Sequence, residues 1–199
     1  MAGSGGQMST FQSRWATTTG HVAGIALLFV AGGMGLGTLV ELLDGPDGGA
    51  MAGATAITAG IGLLLWRSTR PGRLDPAAVF TAVGGTWLIV SVLGALPYLL
   101  AGTFERPGIG LPVVIADALF ESVSGYSSTG STGFGIHNPI AAQGTGLLLY
   151  RQLTQWIGGM GIVVLVVTVL PSVRAAGLSL IDAEAPGAGV DRLAPVSYT

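Results

Sequence analysis

The sequence predicts an all-α membrane protein of four transmembrane helices plus one re-entrant half-helix that runs into a loop of small residues. Three observations lead there. Half of the 199 residues are apolar and 9% are charged, against roughly 25% charged in a soluble domain, and the mean hydropathy is +0.68. Several stretches with no charge approach the ~20 residues that a helix needs to cross a ~30 Å hydrocarbon core. Between the last two of them lies the polar run Ser124-Gly125-Tyr126-Ser127-Ser128-Thr129-Gly130-Ser131-Thr132-Gly133-Phe134-Gly135. Non-helical backbone at membrane depth survives only where it is buried in protein or lines a water-filled path, because lipid cannot satisfy its amides.

Taken in order, residues 1–20 are Gly/Ser/Thr-rich and are expected to be a mobile N-terminus. His21 to Leu43 forms the first span, with Glu41 as its one charge, close to the end where water can reach it. The run is too long for the apolar core of a usual signal peptide and lacks a small-residue cleavage site after it, so it reads as retained. The Asp44-Gly45-Pro46-Asp47-Gly48-Gly49 turn leads into a shorter uncharged stretch, Ala50 to Trp66, which completes a transmembrane hairpin over 21–66. Span 77–101 carries no charge, and Gln152 to Ser172 anchors a last span over 146–172. A polar tail, 174–199, contains Pro186 and Pro195. Gly33 with Gly37, and Gly20 with Gly24, are small-residue pairs that let helix backbones approach closely.

Arginine supplies all the positive charge, since lysine is absent, and Arg67, Arg70 and Arg73 cluster in one short loop. The positive-inside rule places that loop in the cytoplasm. By alternation the N-terminus and the tail are also cytoplasmic, and the 44–49 turn and the 102–112 loop are outside. A net charge of −2 with dispersed arginines leaves no basic patch for nucleic acid. Cysteine is absent, so no disulfide framework or thiolate metal site is available.

Within 77–173, Pro112 to Tyr126 is apolar at helical spacing through Val114, Ile115, Ala118, Leu119 and Val123, interrupted by Asp117 and Glu121. Pro112 suits its start and Gly125 its end. The run is too short to span, so the order becomes span, half-helix 112–126, extended return 127–135, span. That is the membrane-pore-membrane arrangement of cation channels. The C-terminal carbonyls of such a half-helix carry about half an elementary negative charge into the membrane interior, which favours a cation. Carbonyls of Ser127, Ser128, Thr129, Gly130 and Ser131 can replace the water of a dehydrated alkali ion, and small side chains let them face one axis. Gly130 is the expected centre of this filter. A Gly/Ser loop lying outside the membrane is the plain alternative, which the flanking spans disfavour.

Asp117-Ala118-Leu119-Phe120-Glu121-Ser122-Val123-Ser124-Gly125 before the loop, and Tyr150-Arg151-Gln152-Leu153-Thr154-Gln155-Trp156-Ile157-Gly158-Gly159-Met160-Gly161-Ile162 after it, resemble the TrkH branch of the Trk/Ktr/HKT potassium transporters. Gly94-Ala95-Leu96-Pro97-Tyr98, Leu170-Pro171 and Ala183-Glu184-Ala185-Pro186-Gly187 extend the resemblance over residues 20–199. It implies potassium transport in a bacterial plasma membrane, with potassium facing the carbonyls around Ser128, Thr129 and Gly130. The family filter resembles Thr-Thr-Thr-Gly-Ala-Thr; here Ser127-Ser128-Thr129-Gly130-Ser131-Thr132 keeps the glycine and the hydroxyl class but loses methyl groups. Family members carry four pore units around one ion, and this chain supplies one. The expected partners are membrane lipid, the remaining pore units or identical copies of the chain, and a cytoplasmic nucleotide-binding regulatory subunit. A truncated or split relative, a transport-inactive fragment and a homotetrameric channel remain open.

Asp117 and Glu121, four apart on one helical face, either attract cations to the mouth or support the loop, and support is favoured. Arg151 near the outer end of the last span is costly unless paired, and Glu121 is its natural partner. Gly158-Gly159-Met160-Gly161 reads as close helix packing ahead of a hinge. Trp66, Trp87 and Trp156 suit interface or packing roles, and His21 and His137 lack the companions of a metal site. Asn138-Pro139-Ile140 is neither an exact nor a duplicated aquaporin signature. An enzyme is not expected: Ser122 and Ser124 sit near glycine like intramembrane-protease nucleophiles but lack a positioned base.

Overall fold

A computed structural model describes residues 4–45, 48–70 and 76–184, with side chains described mainly between 17 and 163. Its elements are α1 (Ser4–Asp44), α2 (Gly49–Ser68), α3 (Pro76–Gly94), α4 (Leu96–Leu100), α5 (Leu111–Tyr126), a short 3₁₀ turn (Ile140–Ala142) and α6 (Thr145–Glu184). Among the described residues there is no strand, only an isolated bridge between Gly135 and Asn138. The protein is thus all-α. Thr17–Asp44, Gly49–Ser68 and Val79–Leu100 are long and apolar enough to cross a membrane. The expected fourth span is helical within α6, but its later side chains lie outside the described residues. The chain divides into two compact parts, Met1–Ile162 and Val163–Thr199.

Three boundaries differ from the sequence expectation. Helix α1 starts at Ser4, so the segment 1–20 is helical over most of its length rather than a separate polar lead. Ser, Thr and Gln lower helix propensity by only a few tenths of a kcal/mol each, too little to stop a helix that continues into an apolar run. Helix α6 continues through Pro171 to Glu184, beyond the expected end near 172. Span 77–101 is interrupted: α3 ends at Gly94 and α4 begins at Leu96 with Pro97 in its first turn. Pro97 has no amide to offer the preceding turn. The Ala95 amide turns to Val92 at 3.3 Å, and the Ser91 carbonyl is taken instead by the Ser122 hydroxyl at 2.6 Å. Arg73, Arg192 and the 185–199 part of the tail lie outside the described residues.

Helices α1 and α2 cross where glycines remove side chains. A Cβ on Gly24 would lie 2.6 Å from the Trp66 amide nitrogen and 2.9 Å from the Gly62 carbonyl oxygen. The core runs from Leu27, Val30 and Met34 of α1 through Ala54 of α2 to Tyr98, Ala118, Tyr126 and Tyr150. Phe29, Leu64 and Leu88 point outward. Helices apolar on all sides suit a lipid surround.

Candidate functional site: the loop after α5

With 16 residues, α5 is about 24 Å long at ~1.5 Å per residue, short of a bilayer core. Pro112 occupies its first turn, where a missing amide costs nothing. Its buried residues Val114, Ala118, Glu121, Ser122 and Gly125 form one stripe. On α6 the stripe Leu147, Tyr150, Arg151, Thr154, Gly158 is likewise buried. Both recur at intervals of three and four, which puts each set on one helical face.

Helix α5 ends at Tyr126, one residue past Gly125. Gly125 is helical, and Ser128 adopts the left-handed conformation with φ 55°. The Thr129 amide donates to the Ser124 carbonyl at 3.1 Å and the Ser128 amide to the Gly125 carbonyl at 3.0 Å. These are the paired bonds that close a helix at a left-handed residue, a place glycine usually takes. Serine holds it here with help from α6, since its hydroxyl donates to the Gln155 carbonyl at 3.0 Å. Gly125 has another duty: a Cβ there would fall on the Thr154 hydroxyl, and one on Gly158 would fall on the Tyr126 carbonyl. The two glycines let α5 and α6 pack closely, Gly158 against the Tyr126 backbone and Gly125 against the Thr154 side chain, which is the packing role expected of Gly158.

From Thr129 to Phe134 the chain is irregular and runs back along α5. Gly130, with φ 75°, gives it a second left-handed turn. One edge of this segment is fastened. Glu121 Oε1 accepts Arg151 Nε at 2.5 Å, and Oε2 accepts the Gly133 amide at 2.9 Å and the Thr132 hydroxyl at 3.0 Å. Arg151 also lies over the Phe134 ring, 5.8 Å from its centroid. Glu121 is 2% exposed and Arg151 9%, so each buried charge has its counter-charge.

The other edge is open: Ser128, Thr129, Gly130, Ser131 and Thr132 are exposed. The carbonyls of Ser127, Ser128, Thr129 and Gly130 accept no hydrogen bond from any described residue. Ser131 differs from them, because its carbonyl is taken by the Ser124 hydroxyl at 2.5 Å. Asp117 is also separate from the cluster. It does not share a partner with Glu121 but pairs with Arg106 at 3.3 Å.

Sequence reasoning missed Arg106, Ser124, Gln155 and the tyrosines behind the loop. The Tyr150 hydroxyl donates to the Gly94 carbonyl at 2.9 Å and accepts from Tyr126 at 3.1 Å. A Cβ on Gly94 would lie 2.5 Å from Tyr126 and 2.6 Å from the Ser122 hydroxyl. The one signal available was Gly94 three residues before Pro97, a small residue beside a helix break. Farther out, Asn138 donates to the Thr103 carbonyl at 2.6 Å and accepts from Gln143 at 2.8 Å, fastening the return to α6. No group of three or more His, Cys, Asp or Glu that could hold a metal occurs among the described residues.

The sequence matches the family model TrkH, described as cation transport protein, over residues 50–193. Among its relatives, the Trk system potassium uptake proteins TrkH of Salmonella typhimurium and Escherichia coli are each 36% identical over 172 residues, covering 84% of this chain and 33% of theirs. Trk system potassium uptake protein TrkI of Halomonas elongata is 32% identical over 174 residues, covering 86% of this chain and 33% of its own. No solved structure matches the chain. The chain spans about a third of the length of these relatives. A family match over most of the chain, on a fold of apolar helices and one short helix with a fastened loop, makes the protein a member of the TrkH family of cation transport proteins.

Proposed function

We propose that the chain supplies one quarter of a potassium pathway in a Trk-type uptake protein, with the loop after α5 as its part of the selectivity filter. The observation that carries this reading is the two-sided character of the loop: one edge is tied to Glu121 and Arg151, while the carbonyls of Ser127, Ser128, Thr129 and Gly130 accept no hydrogen bond from any described residue. Carbonyl oxygens without other duties are the ligands that replace the water of an alkali ion. Ser131 contributes by anchoring, its carbonyl being held by Ser124. Asp117 sits at the outer mouth with its charge offset by Arg106.

Four such loops complete a ring, so the chain acts together with further pore units in a bacterial plasma membrane. Both termini lie in the cytoplasm, where a nucleotide-binding regulatory subunit is the expected partner. The test is a chimera in which this chain replaces the matching third of Escherichia coli TrkH, expressed in cells that lack potassium uptake. Restored growth at low potassium and restored rubidium uptake are expected, with loss of both on Gly130→Ala. A chimera that reaches the membrane at normal abundance yet takes up no rubidium would refute the reading. Growth rescued by the unfused chain alone would replace the one-quarter assignment with an assembly of identical copies.

A further inference from the structure

Helix α1 reaches the loop through α6. The Glu41 carboxylate, near the end of α1, accepts the Leu147 amide at 3.2 Å in the first turn of α6. Free amides at a helix start carry partial positive charge, so an acid there both fills an orphan donor and meets the favourable end of the dipole. The neighbouring residues are shaped around this acid. A Cβ on Gly144 or on Gly146 would land on the Glu41 carboxylate. One turn back on α1, a Cβ on Gly37 would come 2.7 Å from the Gly146 carbonyl oxygen. Gly37 and Glu41 therefore make a socket into which Gly144 and Gly146 fit because they lack side chains, a fit that needs three glycines and one acid to coincide.

The same helix carries Tyr150, Arg151, Thr154, Gln155 and Gly158, which together fasten α5 and the loop. We infer that Glu41 is a positioning residue for the filter: by seating the first turn of α6 it sets where Arg151 and Gln155 meet the loop. The hairpin of α1 and α2 is then part of the filter's support, not an appendage to the pore unit. The inference rests on reading the loop as a filter, and its first test avoids that reading by following amide exchange alone.

In the full chain in lipid nanodiscs, Glu41→Ala raises hydrogen exchange about tenfold or more in two peptides, 145–148 and 129–135, and leaves α2 unchanged. Glu41→Gln, which keeps an acceptor oxygen without the charge, gives a smaller rise in the same two peptides and decides alone if the alanine variant does not fold. A rise confined to 145–148, a uniform rise across all helices, or no rise overturns the inference. In the chimera, Glu41→Gln lowers rubidium-over-sodium discrimination at unchanged membrane abundance; unchanged discrimination also overturns it. A chimera that fails to transport with the native Glu41 counts against the filter reading and leaves the exchange result standing.

Discussion

Arg151 Nε stands 2.5 Å from Glu121 Oε1, and the other oxygen of the same carboxylate accepts the Gly133 amide at 2.9 Å. One acid on α5 thus joins the following helix to the backbone of the loop between them. Substituting Glu121 with Gln leaves the Arg151 guanidinium buried without a counter-charge, at a cost of about 3–5 kcal/mol. Thermal unfolding in nanodiscs measures it. In the double variant Glu121→Gln, Arg151→Gln the loss is smaller than the sum of the single losses, because neither side is left charged. A single variant as stable as the parent would show that the pair does not hold the loop.

Asp117→Asn has a small effect. The Arg106–Asp117 pair is 3.3 Å apart, with side chains 31% and 29% exposed. Exposed pairs of this kind contribute roughly 0–1 kcal/mol. A loss above about 2 kcal/mol would mean that Asp117 has a buried partner in the assembled protein. The two acids lie one turn apart on the same helix, so comparing them isolates burial from position.

Gly94→Ala tests the joint behind the loop. The added methyl would sit 2.5 Å from the Tyr126 ring and 2.6 Å from the Ser122 hydroxyl, and overpacking of this sort costs about 1–3 kcal/mol. Exchange at the Ser127–Gly135 peptide rises with it, since Tyr126 ends the helix that leads into the loop. Unchanged stability would mean that α3 moves away freely.

Ser128 separates conformational strain from hydrogen bonding. Its left-handed φ of 55° costs an ordinary residue about 1–2 kcal/mol and is harder still for a β-branched one. Ser128→Gly removes the strain and also the bond to Gln155, worth about 1 kcal/mol, so stability stays within about 1 kcal/mol of the parent. Ser128→Val loses the bond and adds strain, with a cost of about 2 kcal/mol or more. Equal stability of the two variants in a denaturation series would argue against the left-handed turn.

The spans were legible because an uncharged run of bilayer length has few other fates, and α5 because Pro112 and its apolar stripe mark a helix too short to cross. The pairing of Glu121 with Arg151 was readable as the cheapest way to bury two charges. The packing duty of Gly125 was not legible, since a helical glycine against Thr154 and a terminal glycine look the same in one dimension. The break at Ala95 was missed because proline is tolerated in membrane helices when neighbours take up the freed carbonyls. Those neighbours, Ser122 and Tyr150, lie 31 and 56 residues away from their acceptors. Small-residue pairs announced close packing without naming the opposite helix: Gly24 meets Gly62, and Gly37 meets Gly146.

Each fastening of the loop, from Glu121 and Ser124 on α5 to Arg151 and Gln155 on α6, comes from the same stretch of chain. The contacts that shape the loop are therefore made by its own two helices, and α1 acts on it at one remove, by seating the second of them through Glu41. On the proposed reading, this sector of the pore brings its own inner edge together with the hairpin that steadies it. A substitution at one of these contacts would then alter this sector of the proposed ring and leave the others as they were, so sectors could diverge one at a time.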